Sequence, residues 1–280
     1  MNIQRIAAFT YHHEGGNPAG VAILEQFPAD IEMQTAAARI GYSETAFLMP
    51  FRDGWRIRYF APETEVPFCG HATIASGAVL AAEHGSGHYR LYLNDGEISL
   101  EVRQKEDGHH LITLQSPPTS SHPAASSLIT PMLALFHLSP LDLDEHFPVR
   151  VASAGAQHLI LVLKDRSTLA AMRYDFDATQ ALMRKAGLTT VSLIWIESSS
   201  RIHARNAFAS GGVYEDPATG AAAAALAGYL RDLNWNEWND QNRFEIIQGE
   251  DMGVPCRLLV EFDASAGSSV RVSGTTRVID

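Results

Sequence analysis

Residues 58–80 read RYFAPETEVPFCGHATIASGAVL. The opening residues alternate in the manner of a strand. Two prolines, Pro62 and Pro67, flanking Glu63 and Glu65 then mark a turn, and Gly70 leads into a helix over residues 71–84 that Gly85 stops. From 71 to 82 that helix carries only apolar or small residues plus one histidine, with no charged face. A helix apolar all round must be surrounded by protein rather than lie on a surface. Residues 205–230, RNAFASGGVYEDPATGAAAAALAGYL, repeat the order strand, turn, glycine, buried helix, with Gly220 in the place of Gly70. The spacing predicts an α+β protein of two pseudo-symmetric domains. Each is a curled, barrel-like and mostly antiparallel sheet around one central apolar helix, and both glycine-led helix starts are expected at the cleft between the domains.

Outward from these stretches, strands are expected near residues 3–10, 20–24, 45–51, 55–60, 89–93, 97–103 and 110–115 in the first half. In the second half they are expected near 149–151, 158–163, 191–196, 201–208, 244–248, 257–262 and 270–272. Further helices are expected over 31–40, with Asp30 as N-cap and Gly41 as stop, and over 128–138, 178–186 and 219–231. The stretch SPPTSSHP, residues 116–123, reads as a linker, which divides the chain into domains 1–118 and 119–280 with the last strand a candidate to return to the first.

With 280 residues, 46% hydrophobic and 19% charged, the chain has the makings of packed domains. A net charge of −11 and the lack of a Lys/Arg run argue against nucleic acid. The N-terminus shows neither the basic nor the apolar segment of a signal peptide, and the apolar run 221–230 is too short for a bilayer, so no membrane partner is expected. Two cysteines, Cys69 and Cys256, exclude a disulfide framework and suggest a reducing, cytoplasmic setting.

The chemistry-bearing residues gather around the glycine-led turns. A helix start with glycine at the turn leaves backbone N–H groups and partial positive charge for an anion, although glycine there also simply permits tight packing. Neither a Walker loop nor G-x-G-x-x-G is present, so no pyrophosphate cofactor is implied. Cys69 and His71 straddle Gly70. As metal ligands they would need two more at suitable spacing, which the sequence does not show, and Cys69 reads as a small packed residue lining the site. His71 in the first helical turn could reach a ligand or serve as a cap. Glu44, in GYSETAFLMP, alternates with Ala46 and Leu48 as on the inner face of a strand. Burial there raises a carboxyl pKa toward the range of proton transfer, unless an arginine partners it. Asp216 precedes Pro217 and the second helix, where capping is the default role.

Four segments, residues 8–24, 33–48, 58–80 and 205–230, come in family order and resemble the PhzF-like family, which shares the diaminopimelate epimerase fold. The resemblance covers nearly the whole chain and implies a cofactor-free isomerase that shuttles a proton on a small carboxylated substrate. The family's namesake isomerises trans-2,3-dihydro-3-hydroxyanthranilate. The resemblance places catalysis on Glu44, His71 and Asp216. It assigns Asn17 and Ser43 to further site positions, and the substrate carboxylate to the backbone of Gly70, His71, Gly220 and Ala221. It implies no cofactor, no metal and a homodimer. Ala221 stands where the family often has serine, and Ala7-Ala8 where an aspartate is common. The related epimerases use two opposed cysteines, but the second motif here has none, which leaves Cys69 a bystander. Two other readings are a Cys69/His71 hydrolase and a non-catalytic binding protein on an enzyme fold.

Overall fold

In the computed structural model, which describes residues 1–235 and 242–279, the chain forms two units. The first comprises residues 1–115, 254–257 and 272–280, and the second 116–253 and 258–271. The first contains β1 (Gln4–Thr10), β2 (Asn17–Ile23), α1 (Asp30–Ile40), β3 (Thr45–Phe51), β4 (Gly54–Phe60), β5 (Glu65–Val66), α2 (Gly70–His84), β6 (Gly87–Tyr92), β7 (Glu97–Gln104) and β8 (His110–Gln115). The second contains β9 (Ser120–Pro123), α3 (Ser126–Leu135), β10 (Arg150–Ser153), β11 (Gln157–Val162), α4 (Arg166–Ala170), α5 (Phe176–Ala186), β12 (Thr190–Ser198), β13 (Arg201–Phe208), β14 (Val213–Asp216), α6 (Gly220–Asp232) and β15 (Arg243–Gln248). The chain crosses between units within β16 (Cys256–Phe262) and β17 (Val270–Val278).

In the first unit β2 and β3 run parallel, β4 lies antiparallel to β3, β5 antiparallel to β4, and β6 parallel to β4. Antiparallel β6–β7 and β7–β8 pairs follow, and β17 lies against both β8 and β1. The sheet therefore curls around α2. In the second unit the same series recurs: β11–β12 parallel, β12–β13 and β13–β14 antiparallel, β13–β15 parallel. The helix after the short strand, α2 or α6, is buried along almost its whole length in both units. The α+β architecture of two curled sheets, each wrapped on an apolar helix, is the one the small-residue helices predict.

Small residues let these helices sit close to the strands. A Cβ on Gly77 of α2 would come within 2.6 Å of Ile112 Cγ2 and 2.8 Å of Leu100 Cδ2. On Gly228 of α6 it would come within 2.6 Å of Thr119 Cβ. Neither position has room for alanine without movement of its neighbours.

The structure corrects several local expectations. Asp30 is the first residue of α1 rather than its cap: the N-cap is Ala29, and the Asp30 carboxylate pairs with Arg58 at 2.7 Å. Gly41 does stop α1 in the left-handed conformation, φ 71°. The proposed linker is half strand, because β9 pairs antiparallel with β10. The last strand extends to Val278, and β5, β9, β14 and α4 carry too few periodic residues to stand out in the sequence. In β3 the alternation of burial is lost, since Thr45, Ala46, Phe47 and Leu48 are all buried. Phe47 packs with Met33 and Ala37 of α1 on one face, while α2 covers β3 as well, so both faces are shielded.

Candidate active site

Glu44 stands one residue before β3, and its carbonyl accepts from the Gly20 N–H of β2 at 3.3 Å. Its position is thus set by the parallel β2–β3 pair, while Cys69 and His71 come with the start of α2. Cys69 is the N-cap, in extended conformation and without a side-chain capping bond. The helix is held there by Thr73, whose hydroxyl donates to the Cys69 carbonyl at 2.7 Å and meets the buried Tyr59 hydroxyl at 2.6 Å. Burial pushes the Tyr59 phenol far above its ordinary range, which keeps it a neutral hydrogen-bonding group.

These two elements bring three chemically active side chains together. His71 Nε2 lies 3.5 Å from Glu44 Oε2 and 3.3 Å from Ser43 Oγ. His71 Nδ1 lies 3.3 Å from Cys69 Sγ. Glu44 and Cys69 are each 7% exposed and His71 4%. Burial raises the Glu44 carboxyl above its ordinary value, against hydrogen bonds from Ser43 and Cys69 that pull it down. Glu44 Oε2 itself has no hydrogen-bond partner. Among the described residues no arginine pairs with it, so the alternative of a structural ion pair with arginine is not realised. The arrangement suits proton transfer: a carboxyl held toward neutrality, one oxygen unengaged, and an imidazole beside it.

Cys69 and His71 do meet, although residues two apart around a glycine need not. The thiol is packed as expected, yet it touches both the acid and the imidazole, a contact that only the curl of the chain at Gly70 reveals. Asn17 begins β2, three residues before Gly20, and is buried.

In the second unit Asp216 ends β14, paired in register with Asn206 of β13. It is not the helix cap, because Thr219 holds that position. The Thr219 hydroxyl donates to Asp216 Oδ2 at 2.6 Å. Gln248 of β15, which no local sequence motif marks, clamps the turn. Its amide donates to the Asp216 carbonyl at 2.6 Å, and its oxygen accepts from the Thr219 N–H at 3.2 Å. Glu215 faces a buried partner: Arg205 Nε donates to Glu215 Oε1 at 2.9 Å, Nη2 donates to Oε2, and Nη1 donates to the Ala170 carbonyl at 2.7 Å. Burial works against the Arg205 charge, but the Glu215 bonds outweigh it and hold the guanidinium above its ordinary value. Gly220 and Ala221 open α6 directly after this turn.

The sequence profile of the phenazine biosynthesis-like protein family matches residues 6–279. The chain belongs to this family. Its relatives include an uncharacterized isomerase of Clostridium acetobutylicum, 29% identical over an alignment of 290 positions, gaps included, that spans 99% of this chain and 96% of the relative. A Bacillus anthracis phenazine biosynthesis protein of the PhzF family superposes with a TM-score of 0.87 at 22% identity, covering 99% of this chain and 96% of its own. A probable proline racemase of Agrobacterium radiobacter shares the fold at a TM-score of 0.66 and 11% identity, over 99% of this chain and 90% of its own. The fold of this PhzF-family chain is thus the diaminopimelate epimerase-like one, and its enzyme class is isomerase. Among the described residues no helix is long and apolar enough to cross a membrane.

Proposed function

We propose that this isomerase moves a proton on a small carboxylated substrate by general acid/base catalysis, without a cofactor. The observation that carries the reading is the buried Glu44 carboxyl, with Oε2 unengaged and 3.5 Å from His71 Nε2. Ionised, Glu44 removes a proton from a carbon acid; protonated, it returns that proton elsewhere on the same molecule. Burial raises its pKa and so makes the protonated form more accessible than for an exposed carboxyl, which a single group acting in both directions needs. His71 orients the substrate and steadies negative charge that develops on it. The first N–H groups of α2, at Gly70 and His71, lie outside the helix's own hydrogen-bond ladder and suit a substrate carboxylate. Ser43 enters through its contact with His71. Asn17, Asp216 and the backbone of Gly220 and Ala221 enter on the family resemblance, as do the homodimer and a substrate like that of the namesake. A chain with only two cysteines, Cys69 and Cys256, fits a reducing, cytoplasmic setting.

The Cys69–His71 contact at 3.3 Å gives a thiol hydrolase a geometric footing, so the test separates the two. Proton NMR in D2O with a panel of cyclic and amino carboxylic acids reads deuterium entering carbon. Wild type is expected to exchange one of them, Glu44→Gln to lose about 10²–10⁴-fold in rate, and Cys69→Ala to retain exchange. Loss of activity in Cys69→Ala together with full activity in Glu44→Gln would replace the isomerase by the hydrolase.

A further inference from the structure

We propose that Glu44, Cys69 and His71 form a binding site for one zinc ion, and that zinc there and proton transfer by Glu44 exclude each other. The exclusion rests on the role proposed for Glu44, whereas the binding stands on geometry alone. One carboxylate oxygen, one sulfur and one ring nitrogen from these three buried residues all lie within 4.8 Å of one another. A tetrahedral zinc with bonds of about 2.0–2.3 Å to O, N and S sets its ligand atoms roughly 3.3–3.6 Å apart. The His71 Nε2 to Glu44 Oε2 distance is already 3.5 Å, and Cys69 Sγ to Nε2 is 4.0 Å. The third pair, the Cys69 sulfur and the Glu44 oxygen, lies within 4.8 Å, so side-chain rotations that move these atoms by up to about an ångström close the set.

The donor types select the metal. A thiolate with an imidazole and one carboxylate is a borderline-soft set suited to zinc and foreign to magnesium or calcium, which take oxygen ligands. A second, independent feature also calls for a ligand: Glu44 Oε2 is a buried polar atom with no hydrogen-bond partner. A buried orphan of that kind costs free energy that a bound cation recovers. Three protein ligands leave the fourth position open to water. Sequence spacing hides the set, because Glu44 is 25 residues from Cys69 and belongs to a different element.

The proton balance is simple. Zinc replaces the Cys69 thiol proton, and the Glu44 proton where that is present, and both leave to solvent; His71 ligates as the neutral ring. Affinity therefore rises with pH. With Oε2 on the metal, Glu44 has lost the oxygen the isomerase reaction needs.

The probe is cobalt(II), which reports a thiolate ligand by a charge-transfer band in the near ultraviolet, titrated into full-length protein with zinc as competitor. The expected result is one equivalent bound with a thiolate band. The band is lost in Cys69→Ser, kept in Cys256→Ser, and cobalt affinity falls more than about 100-fold in His71→Asn and Glu44→Gln, beyond the effect of an outer-shell change. No thiolate band at saturating cobalt, or a band indifferent to His71→Asn and Glu44→Gln, would overturn the site. If Cys69→Ser does not fold, alkylation of wild-type Cys69 decides: zinc must slow it, and an unchanged rate counts against the site. These readouts use no substrate, so they stand whether or not proton exchange is found. Where exchange is found, zinc bound at the site must abolish it, and undiminished exchange in the zinc-loaded protein would refute the exclusion.

Discussion

Arg205→Met and Glu215→Leu, singly and together, test how the turn bearing Asp216 is held. Both side chains are buried, and the guanidinium spends three N–H donors on Glu215 and the Ala170 carbonyl. Removing one partner strands the other as an uncompensated buried charge, which costs about 3–5 kcal/mol. For a folding unit the size of residues 116–253 with 258–271, each kcal/mol moves the midpoint by about 2–4 °C, so each single variant is expected to melt roughly 6–20 °C below wild type. The double variant replaces the pair by apolar groups of similar bulk and is expected within about 1 kcal/mol of wild type, or above it. The coupling between the two sites is then about 5 kcal/mol or more, far from additive. Differential scanning calorimetry on the four proteins reads all of this. Single losses below about 1 kcal/mol would show a pair no stronger than an exposed one, and a double loss equal to the sum of the singles would remove the interaction altogether.

The raised Glu44 carboxyl ties stability to pH. The native chain keeps its proton over a window in which the unfolded chain has already lost it, so the wild type loses stability as pH rises from 4.5 through the folded-state value. Glu44→Gln cannot ionise, so its melting temperature is expected to exceed that of wild type at neutral pH and to match it below pH 4; a difference that does not change with pH would refute burial as the cause. Gly77→Ala improves helix propensity by about 1 kcal/mol but drives a methyl against Ile112 and Leu100, at about 1–3 kcal/mol for overpacking. A net loss of up to about 2 kcal/mol in urea unfolding is expected, and a gain would show that β7 and β8 yield freely.

The two charge-free helices and their glycine starts were legible in the sequence because a helix buried all round leaves a local mark: a dozen residues with no polar face. Most strands were legible for the same reason, and four ordered motifs sufficed for the family. What the tertiary structure alone decided is which polar groups meet. Asp30, a cap by its local surroundings, turned to Arg58; Glu215 found Arg205 ten residues away; Gln248 came from a distant strand to brace the Asp216 turn. Glu44 joined Cys69 and His71 because the β2–β3 register and the seat of α2 in the curled sheet carry them there. Apolar burial is non-directional and shows in composition and period, whereas a polar contact needs two atoms within about 3 Å. That condition depends on strand register and helix placement across the whole unit, which no short window of sequence contains.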